Sequence, residues 1–182
     1  MFHYLFKESD EKTMILETKR LILRKLSQED YLPLSKILQN EKVMYAYEHA
    51  FSDEETQTWL ERQLSRYEKD KIGLWAVILK TTGEMIGQCG LTLQETPEKT
   101  VVEIGYLFAE EFWHNGFATE AAIACKEYAF NTLNIDEVYS IIRDTNLASQ
   151  AVAKRNNMKK ISEFTKNYYN VDMPHYVYMV KK

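Results

Sequence analysis

Between Thr100 and Asn131 the chain changes pattern once and abruptly. Thr100 to Phe108 (TVVEIGYLF) has the β-branched and aromatic make-up of a strand. A short turn follows. Then Ala118, Ala121, Ala122, Cys125, Tyr128 and Ala129 recur at three- and four-residue spacing, which predicts a helix from Gly116 to Asn131. Side chains that small let the helix lie close against a sheet. The junction therefore predicts helices laid on the faces of a sheet.

The flanking segments supply the other layers. Glu17 to Leu26 alternates and reads as a strand, preceded by residues 1–15 as an arm or an extra strand. Ser27-Gln28-Glu29-Asp30 and Ser52-Asp53-Glu54-Glu55 both resemble capping boxes. The first opens a helix to about Asn40, with Pro33 in its early turns. The second opens a helix with Trp59, Leu60, Gln63, Leu64 and Tyr67 on one stripe. Leu74 to Lys80 and Glu84 to Leu93 flank Thr81-Thr82-Gly83 as a hairpin. Further strands are predicted at Val138–Ile142, Ile161–Thr165 and His175–Val180, with a helix over Asn146–Asn156. The order β-α-α-β-β-β-α-β-α-β-β gives an α+β chain of three layers, a mixed, mostly antiparallel sheet flanked by helices.

The 182 residues are 45% hydrophobic and 27% charged, the make-up of one globular domain. A chain this long buries roughly 70% of its unfolded surface. Three prolines, six glycines and no low-complexity tract offer no place to divide it, so residues 1–182 are expected to form a single domain. Twenty-three basic against 27 acidic residues leave a net charge of -4, which disfavours nucleic acid and anionic membranes as partners. Met1 to Ile15 is charged throughout, so no signal peptide is expected. No apolar run approaches the roughly 18 residues of a membrane span. A cytoplasmic location is the simplest expectation. Cys89 and Cys125 lack the spacing of a zinc site and read as buried thiols. His3 and His49 lack spaced ligand partners, so no metal site is expected. Trp59, Tyr67 and Trp75 read as core.

The chemistry concentrates at the strand-to-helix turn. The first turn of any helix has N–H groups without intrahelical partners and the positive end of the macrodipole. Gly116 and Ala118 leave that end uncovered, so a phosphate could reach the backbone. The plain alternative is a glycine that only permits a tight turn.

With its neighbours this stretch resembles the GNAT superfamily of N-acetyltransferases. Trp113-His114-Asn115-Gly116-Phe117-Ala118-Thr119-Glu120-Ala121 follows the acetyl-CoA loop of the branch that acetylates N-termini of ribosomal proteins, commonly Trp-Gly-x-Gly-Tyr-Ala-Thr-Glu-Ala. Asn146-Leu147-Ala148-Ser149 matches the branch's Asn-x-x-Ser, and Lys154 to Met158 lies where the family has Glu-Lys-Leu-Gly-Phe. Glu17 to Leu26 is similar to its opening strand, and Gly87 to Leu91 to its hairpin strand. The resemblance covers about residues 15–181. Three positions depart: His114 replaces a glycine, Trp113 replaces the superfamily's Arg/Gln donor, as is usual for this branch, and Asn157 replaces another glycine.

The resemblance implies the acyl-CoA N-acyltransferase fold and acetyl-CoA as co-substrate. Backbone N–H groups of Leu107, Phe108 or Ala109 would polarise the thioester carbonyl. His114, Asn115, Gly116, Phe117, Ala118 and Thr119 would surround the pyrophosphate. Asn146 and Ser149 would meet the pantetheine arm, and Lys154 or Arg155 would reach the adenosine phosphates, with a solvated helix end as the alternative for both cations. An attacking amine must be neutral, which calls for a base. Glu103 is the candidate, its alternative being a carboxylate that orders a neighbouring strand. Ala153 stands where many members have a tyrosine as acid, leaving Ser149, Tyr168 and Tyr169. His175 could face the substrate or simply end a strand. The implied reaction is direct acetyl transfer to a primary amine, a protein N-terminus or a small molecule. The acidic faces of the first two helices suit a cationic amine. A CoA-binding or sensor domain without turnover is the alternative, and a homodimer is one candidate assembly.

Overall fold

The protein is described here by a computed structural model covering residues 14–168 and 170–182. Its strands are β1 (Met14–Glu17), β2 (Leu21–Arg24), β3 (Leu74–Leu79), β4 (Glu84–Glu95), β5 (Thr100–Phe108), β6 (Glu137–Arg143), β7 (Lys159–Tyr168) and β8 (Val171–Lys181). Its helices are α1 (Tyr31–Leu38), α2 (Glu41–Met44), α3 (Asp53–Lys69), α4 (Phe117–Asn131) and α5 (Leu147–Arg155).

Local chemistry sets most boundaries. Both serine boxes form. The Ser27 N–H donates to the Asp30 carboxylate at 2.8 Å. Ser52 and Glu55 exchange bonds of 2.9 and 3.2 Å. The first helix stops at Leu38, because Asn40 accepts from the Lys42 N–H at 2.9 Å and caps the short α2. The strand expected over Glu17 to Leu26 is the shorter β2, and the end of the expected arm forms β1. The Leu21 N–H donates to the Thr18 hydroxyl at 3.0 Å and the Thr18 N–H to the Leu21 carbonyl at 2.9 Å. This turn folds β1 back along β2. Residues 1–13 of the expected arm lie outside the described residues. The last two strands are longer than their apolar centres suggest, because β7 and β8 pair with each other from Lys159↔Met179 to Tyr168↔Val171.

The eight strands form one sheet in the order β1-β2-β3-β4-β5-β6-β8-β7. Every neighbouring pair is antiparallel except β5 and β6. Helices cover both faces, as adjacent residues of β4 show. The Gln88 amide oxygen accepts from the Trp59 indole of α3 at 3.1 Å. The Cys89 sulfur lies 3.6 Å from that of Cys125 on α4. Leu21, Leu23, Trp75, Ile86, Leu91 and Ile104 are buried between these layers, and Ala121, Ala122, Cys125 and Ala129 bring α4 down onto the sheet.

One irregularity positions everything that follows. The parallel pair β5/β6 has a single register position, Glu103↔Tyr139. Side chains take over part of the bonding there. The Ile141 N–H donates to the Glu103 carboxylate at 3.0 Å and the Ser140 hydroxyl to the Ile104 carbonyl at 3.0 Å. Towards their C-terminal ends the two strands part.

Candidate active site

A cleft of about 1510 Å³ occupies the gap between the parted strands. On one side it is walled by the starts of α4 and α5, on the other by α3 and the segment before it.

The α4 end is an open row of donors. Gly116, its N-cap residue, has φ +77°, a left-handed conformation that glycine takes without strain. The first intrahelical bond runs from the Glu120 N–H to the Gly116 carbonyl at 3.0 Å. The N–H groups of Phe117, Ala118 and Thr119 have no acceptor among the described residues. A Cβ on Gly116 would find only the Arg20 guanidinium within contact range, at 3.6 Å. His114, also left-handed at φ +61°, is exposed and lines the cleft. Asn115 is exposed and bonds within the loop. Its amide donates to the Trp113 carbonyl at 2.9 Å and its carbonyl accepts from Arg20 at 3.0 Å, so it shapes the loop rather than the cleft wall. The Trp113 indole donates to the Phe108 carbonyl at 2.9 Å, tying loop to strand.

Arg20 was not among the sequence expectations. Its Nε meets the Glu120 carboxylate at 2.6 Å, the same carboxylate accepts the Thr18 hydroxyl at 2.6 Å, and its guanidinium lies 4.4 Å from the centre of the Phe117 ring. Both partners lie about a hundred residues away along the chain, so no local pattern announces them. The result is a positive charge braced beside the unpaired donors.

The splayed strand offers fewer donors than expected. The Ala109 N–H is spent on the Ile86 carbonyl at 3.0 Å. In an antiparallel ladder alternate residues turn both backbone groups to the same neighbour. With Leu107 opposite Gln88, the N–H groups of Leu107 and Ala109 both face β4. That withdraws these two as thioester donors. Phe108 is left, with its N–H on the side of the gap. Leu107 and Phe108 line the cleft; Ala109 does not.

Glu103 sits where the strands part. Burial pushes its carboxyl above the ordinary range, against the pull of the Ile141 N–H and the positive charges of Lys166 and Arg66. The carboxylate thus orders β6, as its plain reading had it, and also lines the cleft. Asn146 caps α5, its oxygen accepting the Ser149 N–H at 3.0 Å, which leaves its amide NH₂ for a ligand. The Ser149 carbonyl accepts the Tyr106 hydroxyl at 3.0 Å, and Ser149 lines the cleft. Arg155, exposed at the end of α5, also lines the cleft and forms no ion pair among the described residues.

The family model for the acetyltransferase (GNAT) domain matches residues 20–159. The chain belongs to the GNAT acetyltransferase family. It is 35% identical to the Bacillus subtilis protein YkkB over 144 residues, 79% of this chain and 84% of that one. With the N-acetyltransferase YoaA of Bacillus subtilis it shares 27% over 163 residues, 88% of this chain and 92% of that protein. A ribosomal L7/L12 alpha-N-protein acetyltransferase, RimL, solved in complex with coenzyme A, has the same fold. The TM-score is 0.76 at 20% identity, over 92% of this chain and 97% of that one. As a GNAT enzyme the protein is an acetyl-CoA-dependent acyltransferase with one mixed sheet flanked by helices.

The other half of this GNAT cleft is aromatic. Trp59 lies 5.9 Å from the ring of Tyr47 and 5.7 Å from that of Phe51, both edge-on. Trp59 therefore walls the cleft, whereas Tyr67 and Trp75 are core, as expected. His175 falls inside the longer β8 and lines the cleft. It is buried, pairs through Nδ1 with the Met173 carbonyl at 2.8 Å, and burial lowers its pKa. Tyr169 and the side chain of Tyr168 lie outside the described residues.

Proposed function

We propose that the chain moves the acetyl group of acetyl-CoA directly to the nitrogen of a primary amine, with both substrates in the cleft at once. The observation that carries this reading is the row of unpaired N–H groups at Phe117, Ala118 and Thr119, opening onto the gap between β5 and β6. Acetyl-CoA brings a diphosphate, a strand-like pantetheine arm and an acyl carbon activated by a thiolate leaving group. The residues present fit it. The α4 start and Arg20 suit the diphosphate, the free edge of β5 suits the arm, and the Asn146 amide and Ser149 flank the arm's path. Arg155 is placed for the remaining phosphate.

The Phe108 N–H polarises the thioester oxygen, favouring the negative charge that grows there as the amine attacks. Glu103 takes the proton that the nitrogen gives up. A carboxyl whose pKa burial has raised is a better base partner for an amine than an ordinary one. The Ser149 hydroxyl, on the cleft wall, would supply a proton to the departing sulfur.

Thiol release from acetyl-CoA over a panel of amines, with calorimetric binding of CoA in parallel, tests the reading. CoA binding with amine-dependent release is the expected result. CoA binding without release for any amine, including peptides with free N-termini, would overturn it.

A further inference from the structure

The acceptor half of the cleft carries two arginines that no carboxylate among the described residues meets in an ion pair. α3 lines it with Glu54, Glu55, Thr58, Trp59, Arg62 and Arg66, so one face of the helix runs from acid at its first turn to arginine near the reaction centre. The acids that suggested a cationic acceptor are placed otherwise. Glu61 and Glu68 lie off the cleft. Glu55 is held by the Ser52 N–H at 2.9 Å and His49 at 2.9 Å. Glu54 is exposed at the mouth, eight residues from Arg62, about 12 Å along a helix.

Arg62 and Arg66 stand four residues apart on the same face, where like charges repel. Neither forms an ion pair among the described residues. Arg62 lies 5.9 Å from the Trp59 ring centre, and Arg66 donates a long 3.4 Å bond to the Gln63 amide oxygen. Arg66 is half-buried; burial and the neighbouring Arg62 disfavour its charge, and the more distant charges of Asp70 and Glu103 partly restore it. The other cations differ. Arg143 is committed to Glu48 at 2.5 Å and the Tyr45 carbonyl at 3.1 Å. Lys166 on β7 lies 5.6 Å from the Phe164 ring centre. Two neighbouring guanidinium groups on a cleft wall match one carboxylate, whose two oxygens take paired N–H donors.

We propose that Arg62 and Arg66 are the anion-recognition site for the acceptor, and that the acceptor amine carries a carboxylate close to the nitrogen it presents at Glu103. The identity of the bound group as the acceptor rests on the acetyl-transfer reading; the anion site itself does not. Free amino acids and peptides with an acidic residue at or next to a free N-terminus share this chemistry.

The test pairs each acid with its amide: a free amino acid against its amide, and an Asp-bearing peptide N-terminus against its Asn counterpart, with spermidine as the cationic control. Calorimetry measures their binding to the CoA-saturated protein, and thiol release measures turnover. The expected result is at least tenfold tighter binding of the acid than of its amide, with spermidine weaker still. Arg66→Gln should bring that ratio close to one, and Arg62→Gln, on an exposed side chain that folding tolerates, should cut it several-fold. A ratio confined to the peptide pair assigns a peptide N-terminus, and one confined to the amino acid assigns a small acceptor. Equal binding of acid and amide, no binding of any acid, or a ratio untouched by both variants overturns the proposal. A tenfold acid preference without thiol release would instead sink the transfer reading and leave the anion site standing.

Discussion

Glu103 accepts the Ile141 N–H and also faces the cleft, and its two duties respond differently to one substitution. Glu103→Gln keeps an oxygen for Ile141 but cannot take a proton. General bases typically contribute 10²–10⁴-fold, so turnover with an α-amine should fall about 100-fold at pH 7. At pH 9 such an amine, with a pKa of about 7.7–8.0, is neutral unaided, and the deficit should shrink below about tenfold. A pH-independent loss in the kcat profile would assign Glu103 to structure alone. Stability should move the other way. A carboxyl whose folded pKa lies above its unfolded one favours folding most at low pH, and that contribution is lost as pH rises through the folded value. The wild type loses it and the Gln variant does not. The Tm difference between variant and wild type should therefore grow in the variant's favour from pH 5 to pH 8, as thermal melts across that range would show.

At the scale of elements, the start of α4 combines a left-handed glycine with a brace from β2. Gly116→Val puts a branched side chain at φ +77°, a conformation that costs an L-residue at least about 1–2 kcal/mol, and places methyl groups beside the open donors. The fold should survive with a lowered Tm while CoA affinity falls at least tenfold by calorimetry; unchanged affinity would move the phosphate site elsewhere. Arg20→Ala removes the bonds to Glu120 and Asn115 and the contact with Phe117. It should weaken CoA binding several-fold and make that binding less sensitive to salt, because a charge near the phosphates has gone. The two cases differ in legibility. The glycine, the serine boxes and the alanine stripe of α4 are written in local spacing, and the sequence places those elements to within a few residues. Arg20 is not, because its partners come from a helix a hundred residues on. For the same reason alternation alone began the second strand at Glu17, whereas the Thr18 turn leaves Glu17 in β1 and starts β2 at Leu21. The family resemblance offered Leu107, Phe108 or Ala109 as the donor, and only the ladder with β4 narrows these to Phe108. Arg62 and Arg66 were visible as charges, but which face of α3 meets the cleft is a tertiary fact.

The molecule as a whole couples this site to its core through α4. The helix carries the phosphate-binding turn at its start and Cys125 two turns on, fully buried and 3.6 Å from Cys89 of β4. These are the only two cysteines in the sequence. Burial pushes the Cys125 thiol well up, so little reactive thiolate exists while the helix is seated. Labelling by a thiol reagent must then wait for α4 to lift from β4 and β5, the motion that also dismantles the row of N–H donors. A ligand bound only to the seated form suppresses that opening by the factor 1 + [L]/Kd, about 100-fold at a concentration of 100 Kd. Saturating CoA should accordingly slow the labelling of both thiols about 100-fold in native buffer, with the two reacting together, while denaturant should release both at once. Mass spectrometry of alkylated peptides distinguishes the cases. Labelling at the same rate with and without CoA would mean that the core opens without disturbing the loop, and the coupling through α4 would be wrong even if the binding site were right.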